Sequence, residues 1–183
     1  MIRRVVVISL LLLVAGPLSA QRATQVPVSA NVRLTFHLIQ ADGFTEDDPE
    51  IRPIVVELRK LFRFHGYRLA SKSLLQAVTY ETVRQRITDP EGQSYMIEAN
   101  VSGEGVRVST NVPPLQTERR PINLRVKLYL PPFPPFPTTN STQNVLIDAS
   151  VSLTDGKTAV LGSAQNNAAS KAVILTVTPV INP

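Results

Sequence analysis

Cysteine and tryptophan are both absent from this chain of 183 residues. Without cysteine the chain has no disulfides, no thiolate site for zinc or an iron–sulfur cluster, and no cysteine nucleophile. A chain of this composition depends on its hydrophobic core, and not on disulfides, for stability. Hydrophobic residues make up 43% of the chain. Valine, leucine, isoleucine and alanine dominate them, which favours packed strands.

Long blocks of like charge are missing as well. The formal net charge is +5, and Arg3 and Arg4 belong to an N-terminal segment that we expect to be removed. The remainder carries only a small positive excess. Because no basic stripe with interleaved aromatic residues occurs, the sequence predicts a solvated surface and no nucleic-acid partner.

The N-terminal twenty residues have the three parts of a secretory signal peptide. Arg3 and Arg4 are followed by an apolar run over residues 5–15, then by Gly16-Pro17 and small residues before Gln21. A spanning helix needs about 20 apolar residues, so this run is too short to be one. We therefore predict a signal peptide over 1–20, an extended lead-in over 21–30, and a single domain over 31–183. The protein is expected in the periplasm or the outer membrane, or secreted, without a transmembrane helix.

Residues 31–40 alternate between apolar and polar side chains, which predicts a half-buried strand. Its apolar face carries Val32, Leu34, Phe36 and Leu38.

One amphipathic helix follows this strand. Asp47-Asp48-Pro49-Glu50 suits a helix start, since Asp caps free amides and Pro fits the first turn. Pro53 is expected to reset that first turn, and Gly66 to end the helix at a left-handed cap. The apolar stripe, expected to cover the face of Val32 and Leu34, consists of Ile51, Ile54, Val55, Leu58, Leu61 and Phe62.

Strand patterns dominate the chain from Tyr67 onward. Hairpin turns are predicted at Ser102-Gly103-Glu104 and at Asp155-Gly156. The predicted fold is α+β and mainly β, a mostly antiparallel sheet with one amphipathic helix packed on it. The predicted strands span residues 68–79, 83–88, 94–101, 105–110, 122–130, 144–153, 157–161 and 171–178.

No residue pattern points to a catalytic, cofactor or metal site. His37 lies on the polar face of the first strand, and His65 is placed at the helix end, where the helix dipole favours it. Two isolated histidines without His-x-x-x-His spacing do not predict zinc, and no Gly-x-Ser-x-Gly elbow occurs. The acidic cluster of Glu46, Asp47, Asp48 and Glu50 fits helix capping better than calcium binding, because the calcium-loop pattern is absent. We therefore predict no enzyme activity and no cofactor.

Residues 131–137 (PPFPPFP) predict a polyproline II segment. It is expected to be a stiff spacer between strands, the alternative being a ligand for an aromatic groove.

The C-terminal stretch carries the most specific pattern. An apolar strand leads into Asp155-Gly156-Lys157-Thr158, a second strand ends at Leu161-Gly162, and a final apolar strand reaches Thr178-Pro179. This order resembles the end of the secretin family, the outer-membrane channels of type II and III secretion and type IV pilus systems. A weaker similarity begins at residues 66–71, which resemble the start of the secretin core.

The chain also departs from the secretin pattern. Ser163 replaces the second glycine of a Leu-Gly-Gly pair, and only residues 163–170 stand where secretins carry a gate segment. The resemblance implies a short secretin-like domain without a gate, associating with itself or pairing strands with a secretion or pilus component of the cell envelope. The alternatives are a soluble periplasmic or secreted module that binds a peptide or small ligand, and an unfamiliar enzyme using an acid near His37.

Overall fold

A computed structural model describes residues 31–41, 43–103, 106–108, 117–119, 121–130, 144–166 and 171–182. The predicted signal peptide, the lead-in over 21–30 and the polyproline segment lie outside the described residues. Within them are ten strands and one α-helix: β1 Asn31–Ala41, α1 Arg52–Leu61, β2 Tyr67–Val78, β3 Thr82–Thr88, β4 Ser94–Ser102, β5 Val106–Val108, β6 Thr117–Arg119, β7 Ile122–Tyr129, β8 Val145–Leu153, β9 Ala159–Asn166 and β10 Lys171–Asn182.

Two four-stranded antiparallel sheets contain most of these strands. The first sheet has the order β2-β1-β10-β9 and the second β3-β4-β7-β8, while β5 and β6 form a separate pair. The chain passes from the first sheet to the second between β2 and β3, and returns between β8 and β9. The predicted fold class is confirmed.

The main core lies between the two sheets. Side chains from the inner face of the first sheet meet those of the second, as alternation along each strand requires. The contributing residues include Val32, Leu34, Phe36 and Leu38 of β1, Ile97, Ala99 and Val101 of β4, Ile122, Leu124, Val126 and Leu128 of β7, and Val173, Leu175 and Val177 of β10.

Helix α1 packs on the opposite face of the first sheet. Its Val55 and Leu58 form a second cluster with Ile39 and Ala41 of β1 and with Ile174 of β10. The prediction that the helix covers Val32 and Leu34 was therefore wrong, because the second sheet already occupies that face. Burial in β1 accordingly alternates up to Thr35 and is continuous from Phe36 to Ala41.

The helix starts as predicted and ends earlier. A 3₁₀ turn, Pro49–Ile51, leads into α1, and Pro53 lies in the first turn. The helix stops at Leu61 because Phe62 is extended, with φ −129°. Gly66 is thus not the cap that we predicted. A Cβ on Gly66 would lie 2.6 Å from the carbonyl oxygen of Phe44, so glycine is needed there for close backbone approach.

Both predicted hairpins were wrong, although the turn at Asp155-Gly156 exists. Strand β4 pairs with β3 and β7, so its two edges are occupied and β5 pairs with β6 instead. The Asp155-Gly156 turn joins β8 to β9, but β8 pairs with β7 and β9 with β10. It is therefore a corner between sheets. Within the described residues no helix is both long and apolar enough to cross a membrane.

Candidate functional site

The acidic cluster before α1 is used as a capping structure. One carboxylate oxygen of Asp48 accepts a hydrogen bond from the backbone N–H of Glu50 at 3.0 Å, and the other accepts from Leu69 N–H at 3.3 Å. The capping interpretation of this cluster is supported by these bonds. Since the same carboxylate holds both a helix start and strand β2, it fixes the helix against the first sheet.

Asp47 makes a second link between these elements. Its carboxylate accepts from the backbone N–H of Tyr67 at 3.2 Å and forms an ion pair with Arg59 at 2.8 Å. Arg59 also stacks over the Tyr67 ring, 5.7 Å from its centroid. Among the residues described, no group of three or more His, Cys, Asp or Glu side chains is arranged to hold a metal ion.

An open cleft of about 510 Å³ lies beside this cluster, lined by residues 43–49 together with Tyr67 and Arg68. Phe44 and Tyr67 are its aromatic members. Arg68 lies 5.3 Å and Lys171 lies 5.5 Å from the Phe44 ring centroid, both at cation–π distance. The cleft therefore combines an apolar ring with two cations at its margin.

His37 lies on the outer face of the first sheet, as predicted, but it is buried there. It is paired in register with Thr176 of β10 on one side and with Lys72 of β2 on the other. Burial lowers the pKa of His37, and nearby Lys72 lowers it further against the opposing effect of Glu50. Within the described residues neither His37 Nδ1 nor Thr176 Oγ1 has a hydrogen-bond partner.

His65 has a different place from the one predicted. It follows the helix end by four residues and is exposed, so the helix dipole cannot be the reason for it. Its carbonyl oxygen accepts a hydrogen bond from Arg59 at 3.4 Å. The two histidines belong to different environments, and Arg59 and Lys60 are the cations in the last turn of the helix.

A buried carboxylate that the sequence reasoning missed joins the two sheets. Asp89 is 6% exposed and follows β3. One of its oxygens accepts from the backbone N–H groups of Glu91 and Gln93 at 3.0 and 2.8 Å. The other accepts from Gln40 Nε2 at 3.2 Å and from the Tyr95 hydroxyl at 3.4 Å. Gln40 belongs to the first sheet and Tyr95 to the second, so this carboxylate links them. In the sequence, only the Asp-Pro-Glu-Gly turn marks the position of Asp89.

The two segments that carry the secretin resemblance contact one another. The N–H of Gly156 donates to the carbonyl of Pro179 at 2.8 Å, and Asp155 accepts from the N–H of Ile181 at 2.9 Å. The hydroxyls of Thr158 and Thr178 lie 2.7 Å apart. Gly156 has a φ of 72°, which favours glycine. The turn between β8 and β9 is thereby fastened to the end of β10.

The outer face of the second sheet is polar and charged. Pairing registers place Arg84, Glu98, Lys127 and Asp148 side by side in one row across β3, β4, β7 and β8. Arg84 contacts Glu98 at 2.7 Å and Lys127 lies 3.9 Å from Asp148. Arg125, in the next row, pairs with Asp148 at 3.3 Å. We refer to this surface, with the rows on either side of these four charges, as the charged face.

Edge strands of both sheets carry irregularities. In three of the four edge strands one residue is left out of the register: Ala70 in β2, Leu161 in β9 and Leu146 in β8. Such bulges twist an edge and interrupt its row of hydrogen-bonding groups, which discourages another strand from pairing there.

Comparison with solved structures includes a weak likeness to a secretin. No protein-family profile matches the chain, and no curated protein matches it. A type II secretion system secretin, XcpQ from Pseudomonas aeruginosa, solved by cryo-electron microscopy, is 8% identical with a TM-score of 0.39. The alignment covers 88% of this chain and 61% of that chain, so this chain spans less than two thirds of its length. With a TM-score below 0.5, this likeness determines neither the fold nor the function of the chain.

Proposed function

We propose that this chain is an exported, non-enzymatic protein of the cell envelope that resembles a reduced secretin core. It acts by associating with itself or with a component of a secretion or pilus system. Its place is the periplasm or the outer membrane, or outside the cell. The N-terminal pattern of charge, apolar run and small residues supports export.

The observation that carries this proposal is the contact between the Asp155-Gly156 turn and the end of β10. Each residue type of the pattern has a physical task there: a carboxylate acceptor, a glycine at positive φ, and a pair of threonine hydroxyls. The pairing of β9 with β10 brings both segments to one end of the first sheet, and these hydrogen bonds fasten them there as one corner. The contact therefore supports treating them as one structural unit of secretin type.

The surroundings of the acidic groups support association in preference to catalysis. Asp47 and Asp48 accept backbone hydrogen bonds that hold α1 to β2. Asp89 is occupied by four donors between the sheets. A carboxylate that accepts so many structural bonds is poorly placed to exchange protons with a substrate.

Cell fractionation and an absolute mass test the proposal together. The chain is expressed with its own N-terminal segment, and its mass is measured by light scattering after size exclusion, with and without detergent. We expect an envelope or secreted location and a mass above one chain, or a stable complex with an envelope component. Retention in the cytoplasm, or a strictly single chain with no envelope partner, contradicts the proposal.

A second candidate is a soluble module that binds a peptide or small ligand, favoured by the cleft at Phe44. A cavity of this volume is within the usual range for ligands, and Arg68 suits an anionic group next to the aromatic surface of Phe44. Thermal-shift screening with short acidic peptides tests it, because a ligand that binds only the folded state raises the melting temperature. An upward shift that Phe44→Ala abolishes supports binding, and no shift with any peptide argues against it.

A further inference from the structure

We propose that the charged face of the second sheet binds a second copy of this chain, face to face, about a two-fold axis parallel to the strands. The proposal deepens the associating function proposed above and rests on it. The observation that supports it is the order of charges across the four strands. When this row is reversed in a facing copy, each charge lies opposite a charge of the other sign.

The central row of the charged face alternates in sign. From β3 to β8 the order is Arg84, Glu98, Lys127 and Asp148, positive, negative, positive, negative. All four side chains reach the solvent, with exposed fractions from 22% to 49%. With neighbouring strands about 4.8 Å apart, the row extends over about 14 Å.

A two-fold axis running between β4 and β7 reverses the order of this row in the facing copy. Arg84 then faces the partner's Asp148, and Glu98 faces the partner's Lys127. Symmetry repeats both pairs, so four pairs of opposite charge form and no like charges oppose each other. An isologous interface requires this self-complementarity, and a row of four alternating charges has it whereas a row of like charges does not.

One flanking row fits the same axis. One row has Thr82, Asn100, Arg125 and Ser150 in register, so that the Asn100 amide faces the partner's Arg125. The amide can accept from the guanidinium. The other flanking row has Arg86, Met96, Tyr129 and Val145, and because Tyr129 is buried this row adds no contact to the argument.

Face-to-face stacking of two copies also agrees with the irregular edge strands of the two sheets. Three of the four edge strands are bulged, which discourages addition of a strand from another copy. The charged face has no such interruption across β3, β4 and β7. Association by stacking of sheets therefore meets fewer obstacles than association by extending them.

The size of the face predicts a weak dimer. Strand β4 has nine residues, and four strands of that length at usual spacings present about 550 Å² per copy. Stable interfaces bury about 800 Å² on each partner. The dimer is therefore expected at high local concentration, and it should weaken as salt screens its charge pairs.

Charge reversal at the two central positions tests the proposal. Glu98→Lys sets a new ammonium group against the partner's Lys127, and Lys127→Glu sets two glutamates together. Each variant alone should raise the dissociation constant about 30-fold, since two attractive pairs become repulsive. An equimolar mixture of the two variants restores every opposite-charge pair in the heterodimer, so association should return to the wild-type level. Sedimentation velocity over about 10 µM to 1 mM protein covers the expected range.

Matched controls come from the helix. Glu57→Lys and Lys60→Glu make the same changes in net charge at an exposed ion pair of α1, and neither they nor their mixture should alter association. If Glu98→Lys or Lys127→Glu unfolds, Arg84→Asp and Asp148→Arg provide a second pair at more exposed positions. Their mixture is also fully complementary.

The outcomes separate this inference from the proposed function. Single variants that associate like wild type, or a mixture that stays monomeric, overturn the face-to-face dimer and leave association through another surface intact. The wild-type chain could instead be monomeric alone and bind an envelope partner that the Glu98→Lys variant no longer binds. That result shows that the charged face does not bind a second copy, and it agrees with the proposed function. A chain with neither self-association nor an envelope partner contradicts both.

Discussion

Replacement of Asp89 by alanine should be among the most destabilising single substitutions in the described part of the chain. The carboxylate accepts four hydrogen bonds, and two of the donors, Gln40 Nε2 and the Tyr95 hydroxyl, belong to side chains that are 5% and 1% exposed. In the alanine variant both donors lose this acceptor in a region that excludes water.

The magnitude follows from the hydrogen bonds to the carboxylate that are lost. A hydrogen bond to a charged group contributes about 1.5–3 kcal/mol, so the two bonds together give a loss of about 4 kcal/mol. The turn amides of Glu91 and Gln93 are partly buried and can bond to water, so they add less. For a domain of this length, about 4 kcal/mol lowers the melting temperature by about 8–16 °C.

Urea denaturation followed by circular dichroism measures this loss directly, because the free energy of unfolding depends linearly on urea. Glu57→Ala is the control: it removes a carboxylate from an exposed ion pair and should cost at most about 1 kcal/mol. Asp89→Asn keeps one acceptor oxygen and should fall between the two. A loss for Asp89→Ala within about 1 kcal/mol of wild type would refute the argument that this carboxylate joins the sheets.

Three further perturbations follow from the structure. Gly66→Ala should cost about 1–3 kcal/mol in denaturation, because the new Cβ meets the Phe44 carbonyl at 2.6 Å; a loss below about 0.5 kcal/mol contradicts this. Since the folded pKa of His37 is lowered, the unfolded state binds more protons below about pH 6.5, and the free energy of unfolding should fall there as pH decreases. His37→Gln should remove that slope, and a slope that persists would contradict the assignment. Asp155→Ala should cost about 1–2 kcal/mol by freeing the N–H of Ile181, and unchanged stability would mean that the corner is not held there.

Local periodicity predicted the strands and the helix well, because burial on one or two faces is a short-range pattern. The alternation at Val32–Leu34 marked β1, and the spacing of Val55 and Leu58 marked α1. The pattern could not say which apolar face the helix covers. In β1 both faces become buried near Ile39, and only the long-range position of the second sheet shows that the helix takes the other side.

Strand partners were predicted less well than strand positions. Turns such as Asp155-Gly156 mark where the chain changes direction, but not whether the next strand pairs with the previous one. Here the edge of β9 is paired with β10 and that of β8 with β7, so the turn became a corner. Pairing is a competition among all strands for each edge, which a local motif does not encode.

Polar residues whose role is local were predicted from the sequence, and those whose role depends on long-range pairing were not. The capping role of Asp48 is local, and the sequence predicted it. Asp89 and the alternating row from Arg84 to Asp148 depend on strands far apart in the chain. No spacing in the sequence marks them, and the register of the second sheet is what brings them together.

The most direct test of association through the charged face is sedimentation velocity on Glu98→Lys and Lys127→Glu, each alone and mixed in equal amounts at low salt. We predict monomers for each variant alone and a dimer for the mixture. A mixture that sediments as two separate monomers would contradict the face-to-face dimer.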